Sequence, residues 1–159
     1  MSKNTWLITI VACLLLSIVT VVISPFNFSP AFHSSLTNLA TLKTMARNSL
    51  PYEVAIANGK PSLLEFYADW CQTCQSLSTT LEELQQKYGE SVNFIMLDID
   101  DPHWQKQIQT YRVTGVPQLT FLRGNQEIVE TLIGKVPEVV IDDILGEMVN
   151  ELGNLEFRI

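Results

Sequence analysis

The longest uncharged run of the chain lies near its N-terminus. All residues from Trp6 to Ser24 are apolar or small, and none carries a charge. A helix rises about 1.5 Å per residue, so a run of this length spans roughly the 30 Å of a bilayer's hydrocarbon core. The pattern therefore predicts a membrane anchor in residues 1–24 that crosses the bilayer once.

Two alternatives remain for this run: a cleaved signal peptide and a lipoprotein signal that ends at Cys13. The segment that follows, "PFNFSPAFHSS", offers no convincing small-x-small cleavage site, and the run is longer than the apolar core of a typical signal peptide. Little apolar sequence precedes Cys13. These features favour a retained anchor.

Positive residues flank the run unequally. Lys3 precedes it, whereas the first positive residue after it is Lys43. Because cytoplasmic flanks carry the excess of Lys and Arg, this asymmetry predicts a cytoplasmic N-terminus. The rest of the chain is then expected on the opposite side of the membrane, in a lumen or periplasm.

The remaining residues divide into a linker and one domain. Residues 25–49 mix Pro, Phe, Ser, Thr and Asn with a weak helical pattern, which predicts a linker whose helical part packs on the domain or on the membrane surface. Residues 50–159 alternate between strand and helix patterns and are long enough for one hydrophobic core. We expect an α/β domain there.

Apolar periodicity and turn residues predict the order of elements in this domain. The order is a short helix within Leu50–Pro61 that ends at Asn58-Gly59, a strand from Ser62 to Ala68 buried on both faces, a helix from Cys71 to Tyr88, a buried strand from Val92 to Asp100, a helix from Asp101-Pro102 to Tyr111, a hairpin of "QLTFL" and "EIVETLI" around Gly124-Asn125, and a closing helix from Pro137 to about Leu152.

Charge and cysteine content narrow the function. The formal net charge is -7, without clusters of Lys and Arg, which argues against binding to nucleic acid. The 3 cysteines are too few for a disulfide-stapled scaffold, and only Cys71 and Cys74 form a pair. The function of the domain therefore depends on what this pair does.

Four uses of a CxxC pair can be weighed. A structural zinc site needs four ligands, and the two histidines that could join the cysteines, His33 and His103, lie in separate segments, so zinc is disfavoured. Covalent haem attachment needs a histidine directly after the second cysteine, where the chain has Gln75, so it is excluded. An inert pair is disfavoured because two thiols at the exposed mouth of a helix are poorly placed for packing. We therefore expect redox exchange, without a metal or another cofactor.

The spacing of the pair suits this exchange. Cys71 stands at a helix N-terminus, where unpaired backbone N–H groups and the helix dipole favour the thiolate, so it is predicted to attack. Cys74 lies one turn further on the same side and is predicted to resolve the mixed disulfide. Cys71 and Cys74 would then form a redox-active disulfide.

Three stretches and one glycine resemble a known family. "LEFYADWCQTC", "FIMLDID", "VTGVPQLTFLRGNQEI" and the glycine at 134 resemble the corresponding stretches of thioredoxins over about a hundred residues. With the anchor, "NGKPSLLEFYADWCQTC" is most similar to the membrane-anchored thioredoxin-like proteins of cyanobacterial and chloroplast thylakoids. The resemblance implies a thioredoxin fold, with a central mixed sheet flanked by helices, behind a single transmembrane helix.

The resemblance also implies roles for particular residues. Glu65 corresponds to a buried acid that shuttles the proton of Cys74; the alternative is an acid on an edge strand that faces solvent. Val116 and Pro117 correspond to a cis-proline loop that pairs with substrate. Trp70 is expected to offer an aromatic surface to substrate beside Cys71 or, alternatively, to have a partly exposed packing role.

The chain departs from ordinary thioredoxins near the site. The departures are Gln72-Thr73 in place of Gly-Pro, Tyr67 at the second tryptophan position, Met96 where many thioredoxins carry a lysine near the buried acid, and Thr79 where a helix-bending proline is missing. They leave the fold intact but bear on the reduction potential and on the pKa of Glu65.

The combined expectation is a membrane-anchored thiol-disulfide oxidoreductase that reduces protein disulfides. The path from Asp100 to Pro117 is too short for the helical insertion of the periplasmic oxidases, which favours a reductase. The thylakoid resemblance implies a multi-span thiol transporter as electron donor and apocytochrome c as an acceptor. The alternative is a redox-silent module that uses the same groove only to bind or assemble other proteins.

Overall fold

A computed structural model describes the backbone of residues 30–156 and the side chains of residues 36–153. The predicted anchor from Trp6 to Ser24, with Cys13, lies outside the described residues. Between residues 30 and 156 no helix is both long enough and apolar enough for a membrane span.

Helices and strands follow the predicted order. They are α1 (Pro30–Asn48), α2 (Tyr52–Ala57), β1 (Ser62–Tyr67), α3 (Gln72–Tyr88), β2 (Asn93–Asp98), a 3-10 turn (Pro102–Trp104), α4 (Gln105–Thr110), β3 (Gln118–Leu122), β4 (Ile128–Ile133) and α5 (Glu138–Glu156).

The four strands form one mixed sheet in the order β2-β1-β3-β4. Strand β1 is parallel to β2 and antiparallel to β3, and β3 and β4 form the predicted antiparallel hairpin. All six residues of β1 are buried, which confirms a strand covered on both faces. The mixed sheet and flanking helices expected from the sequence are therefore present.

Alternate residues of β1 serve two cores, one on each face of the sheet. Leu63 belongs to a cluster with Leu81 of α3 and Leu145 of α5. Leu64 belongs to a cluster on the other face, with Ala55 of α2 and Ile108 of α4. This division follows from the two-residue period of a strand, which directs successive side chains to opposite faces.

Helix α1 packs on the domain, as the weak helical pattern allowed. Leu42 and Met45 are buried in the same cluster as α3 and α5. The Ser78 hydroxyl of α3 donates a hydrogen bond to the backbone oxygen of Asn38 at 3.0 Å. The division of the chain into an anchor, a linker and a domain that begins at residue 50 stays a prediction.

The segment after β2 differs from the predicted continuous helix. Asp101 caps the turn as expected, since its Oδ1 accepts a hydrogen bond from the His103 backbone N–H at 2.9 Å. The turn is 3-10 and ends at Trp104, whose φ of -93° and ψ of 8° depart from α-helical values, and the six-residue helix α4 follows directly. The Trp104 ring packs edge-on against Tyr52 of α2.

Candidate redox site

The two cysteines form a disulfide where β1 gives way to α3. Their Cα atoms lie 5.3 Å apart. Cys71 is the N-cap of α3, and its Sγ accepts a hydrogen bond from the Cys74 backbone N–H at 3.1 Å. A sulfur in this position faces the N–H groups that a helix leaves unpaired at its start, so negative charge on Cys71 would be stabilised there.

The exposure of the cysteines differs from the expectation of an open helix mouth. Cys71 is 6% exposed and Cys74 is fully buried. Both belong to the core cluster on the α3 face of the sheet, against which Val116 also packs. The helix start is thus covered by tertiary contacts that a local sequence pattern does not contain, and Cys71 is the member of the pair that retains some access.

Glu65 lies on a central strand and not on an edge strand, so the solvent-facing alternative is wrong. It is 1% exposed, and neither carboxyl oxygen has a hydrogen-bond partner among the described residues. Desolvation by burial raises the pKa of Glu65 to about 8. Met96 is its paired residue on β2, so this neighbour supplies no positive charge to offset the burial.

Trp70, directly before Cys71, is 65% exposed, so most of its ring surface is open to solvent. Its indole Nε1 donates a hydrogen bond to Asp100 Oδ2 at 2.8 Å. Asp100 comes after β2, so the bond joins two loops at the same end of the sheet. The sequence analysis did not single out Asp100, because a residue 30 positions away gives no local signal.

The Val116–Pro117 peptide bond is cis, as the resemblance implied. Pro117 is buried, and its backbone oxygen accepts a hydrogen bond from Gly134 N–H at 2.8 Å. This bond brings the end of β4 to the loop, where Ile133 remains 53% exposed beside Gly115. Ile133 is a second residue that the sequence analysis missed, since it looked like an ordinary strand position.

A cavity of about 360 Å³ adjoins the first turns of α3. Five of its seven lining residues have polar side chains, and one of these, contributed by the loop after β4, is charged. The lining residues are Gln72, Thr73, Ser76, Leu77, Thr80, Lys135 and Val136. Gln72-Thr73, which in the sequence only differed from the Gly-Pro of ordinary thioredoxins, thus lines the same cavity as Lys135.

Asp69, the residue before Trp70, forms an ion pair with helix α1. The Lys43 amine of α1 forms an ion pair with Asp69 Oδ2, and the backbone oxygen of Asp69 accepts a hydrogen bond from Gln75 Nε2 at 2.7 Å. Elsewhere, His103 is exposed and lies edge-on to Trp104. Within the described part of the chain, no group of three or more His, Cys, Asp or Glu residues is arranged to hold a metal ion.

Two known proteins are similar to this chain in amino-acid sequence. The thiol:disulfide interchange protein TxlA of Synechococcus elongatus is 41% identical over 110 residues, which cover 69% of this chain and 58% of the relative. The chloroplastic thioredoxin-like protein HCF164 of Oryza sativa is 40% identical over 109 residues, which cover 67% of this chain and 41% of the relative. The chain thus spans about half the length of these relatives.

A solved structure and a family profile agree with the fold. Thioredoxin O2 of Arabidopsis thaliana, in its oxidised state, superimposes with a TM-score of 0.52 at 27% identity, over 60% of this chain and 84% of that one. The Thioredoxin family profile matches residues 42–146, which include both cysteines, Glu65 and the cis-proline loop. The chain belongs to the thioredoxin family.

Proposed function

We propose that this protein is a thiol-disulfide oxidoreductase that reduces disulfides of other proteins, here called clients. The observation that carries the proposal is the disulfide between Cys71 and Cys74 at the start of α3. A dithiol in this position can transfer two electrons to a client disulfide and itself become the disulfide. The names of the relatives, which include a thiol:disulfide interchange protein, support the same activity.

The chemistry proceeds in two exchange steps. In the first, the Cys71 thiolate attacks one sulfur of the client disulfide, and the other client sulfur leaves as a thiolate that takes up a proton. In the second, Cys74 loses its proton and attacks Cys71 Sγ, which releases the remaining client sulfur and closes the Cys71–Cys74 disulfide. The remaining client sulfur leaves as a thiolate and also takes up a proton. The client thus gains two electrons from the enzyme dithiol and two protons, one of which balances the proton lost by Cys74 and the other the proton that Cys71 released when its thiolate formed.

Glu65 supplies a base for the second step. A carboxyl with a pKa of about 8 exchanges its proton near neutral pH, whereas an ordinary glutamate is fully ionised there. Cys74 is buried, so solvent does not reach its proton directly. The client itself is expected to rest on exposed Trp70 and on the Val116–Pro117 loop, with Ile133 beside that loop.

The test is reduction of the insulin interchain disulfides by the full chain in the presence of dithiothreitol. Cys71→Ser is expected to abolish turnover, and Cys74→Ser to turn over slowly, because only dithiothreitol can then cleave its Cys71 mixed disulfide. Cys13→Ser, which changes a thiol outside the CxxC pair, is the matched control and should retain activity. Wild-type protein without activity, together with full cellular function of the Cys71→Ser, Cys74→Ser double variant, would leave the redox-silent binding module.

A reductase is favoured over an oxidase. The connection from β2 to β3 holds only the 3-10 turn and the short helix α4, without a large helical insertion. Reduction potentials on this fold run from about -270 mV for thioredoxin to about -120 mV for the strong oxidant DsbA. A value near the thioredoxin end, measured by equilibration with glutathione, is expected; a value near the oxidant end contradicts the assigned direction.

The proposed setting is a membrane, with the anchor in residues 1–24 and the folded domain in the thylakoid lumen or periplasm. The support is the uncharged run from Trp6 to Ser24 and the charge difference between Lys3 and Lys43. A domain in that compartment cannot be reduced directly by cytoplasmic thioredoxin. A multi-span membrane thiol transporter is therefore the proposed donor, and apocytochrome c, whose haem-attachment cysteines must be reduced, is a proposed client.

Trapping tests this setting. Without its resolving thiol, a Cys74→Ser variant keeps the Cys71 mixed disulfide, so clients and donor remain attached and can be identified. Capture of proteins from the lumen or periplasm is expected. Capture of cytoplasmic proteins alone, or protease protection that shows the domain on the side of Lys3, would contradict the orientation and leave an oxidoreductase on the cytoplasmic face.

A further inference from the structure

The cavity beside α3 has a position that suits client recognition. It follows one face of the helix from Gln72 and Thr73 to Thr80, and it therefore begins at the two residues between the cysteines. Lys135 and Val136 close it from the loop after β4. A client whose disulfide reaches Cys71 must place its neighbouring residues near this opening.

The polar groups of the cavity are available to a ligand. Among the described residues, the side chains of Gln72, Thr73 and Thr80 make no hydrogen bond, whereas the Ser76 hydroxyl donates to the Gln72 backbone oxygen at 2.9 Å. Lys135 is exposed and forms no ion pair within the described part of the chain. The cavity thus offers an amide, two hydroxyls and an ammonium group.

The charge of the cavity contrasts with that of the chain. The chain has a formal net charge of -7, yet Lys135 is the one charged residue that lines the cavity, and no carboxylate does. Next to Trp70 the charges are of the other sign, because Asp100 binds the indole. A client segment across the cysteines therefore meets an amine on the Gln72–Thr73 side and a carboxylate on the Trp70 side.

We propose that the cavity receives an acidic side chain, Asp or Glu, that lies close to the attacked disulfide of the client. This inference rests on the proposed disulfide exchange and adds a preference among its clients. Hydroxyl, amide and ammonium donors are the groups that bind a carboxylate. The Gly-Pro dipeptide of ordinary thioredoxins lacks such donors, so Gln72-Thr73 would give this chain a preference of its own.

Two disulfide peptides that differ only in one residue beside a cysteine, Glu in one and Lys in the other, provide the test. The full-length wild type is expected to reduce the Glu peptide about threefold to tenfold faster, measured as kcat/KM, as suits a partly exposed ion pair with added hydrogen bonds. High salt should reduce the difference, since exposed charges are screened.

Variants connect the preference to the cavity. Lys135→Gln should remove most of the preference, and Lys135→Glu should invert it. The near-isosteric Thr80→Val should lower it by about twofold or more, because one hydrogen bond to the carboxylate is lost. Lys106→Glu makes the same charge change on exposed α4, outside the cavity lining, and should keep the wild-type preference.

Reduction of uncharged dipyridyl disulfide separates the two proposals. All variants are expected to reduce it at the wild-type rate, because it carries no group for the cavity. Equal rates of the wild type on both peptides, or an unchanged preference in Lys135→Glu, overturn the acidic subsite and leave the oxidoreductase intact. Failure of the wild type on dipyridyl disulfide overturns the proposed function and the subsite with it.

Discussion

The Glu65→Gln variant is expected to remove a pH dependence of stability that the buried carboxyl creates. Burial raises the pKa of Glu65 from 4.5 to about 8. Between these values the folded protein holds a proton that the unfolded chain has released, so the free energy of unfolding falls as pH rises. This contribution is fully present below about pH 4.5 and is lost by about pH 8.

The size of the effect follows from the shift. One pKa unit corresponds to about 1.4 kcal/mol, so a shift from 4.5 to about 8 corresponds to about 5 kcal/mol. A small domain has a total stability of about 5–15 kcal/mol, so the loss is a large fraction of it. Gln has a similar shape and carries no charge at any pH, so the variant should show no such decline.

Urea denaturation of the oxidised protein at pH 5, 6, 7, 8 and 9 measures this difference. Wild type and Glu65→Gln should differ least at pH 5, where both side chains are neutral in the folded protein, and the variant should be more stable by several kcal/mol at pH 9. Glu147→Gln removes an exposed carboxyl of α5 and should parallel the wild type. Parallel profiles of wild type and Glu65→Gln would refute the reasoning and imply that Glu65 is ionised in the folded protein or that water reaches it.

Three further predictions concern packing and surface charge, each checked by urea denaturation. Leu42→Ala should lower the free energy of unfolding by about 2–5 kcal/mol because it opens a cavity under α1, whereas Leu36→Ala, at a side chain 52% exposed, should change it by less than about 0.5 kcal/mol. Lys43→Met should cost less than about 1 kcal/mol, since both partners of its pair with Asp69 are over 40% exposed. Gly124→Ala should destabilise by about 1–3 kcal/mol, because a Cβ there would lie 2.0 Å from a backbone oxygen of the α2–β1 turn; an unchanged midpoint would show that this turn yields freely.

Local patterns were sufficient for most of the fold. The buried run in β1, the helical spacing of α3 and the turn chemistry before β4 each express a preference contained within a few residues. The change from 3-10 to α-helical geometry at Trp104 was not predicted from the local pattern, and the Trp104 ring contacts Tyr52 of a distant helix. Local sequence gives the type of an element more readily than the interruptions that tertiary packing imposes.

The sequence likewise predicted some features of the redox site and not others. The spacing of Cys71 and Cys74 predicted their pairing, but their burial depends on packing that includes Val116 from another part of the chain. The pattern around Glu65 did not distinguish a central strand from an edge strand, since that depends on the order of strands in the sheet. Lys135 was missed because its relation to Gln72 exists only after folding.

The order of strands also implies that the residues expected to contact a client differ in how firmly the sheet holds them. The cysteines follow β1 and Pro117 precedes β3, and both strands are paired on each side. Ile133 ends β4, which is paired only with β3 among the described strands. Inner strands open to hydrogen exchange mainly with global unfolding, whereas edge strands open at lower free energy. We therefore expect the end of β4 that carries Ile133 to open to hydrogen exchange more readily than the segments that carry the cysteines and Pro117.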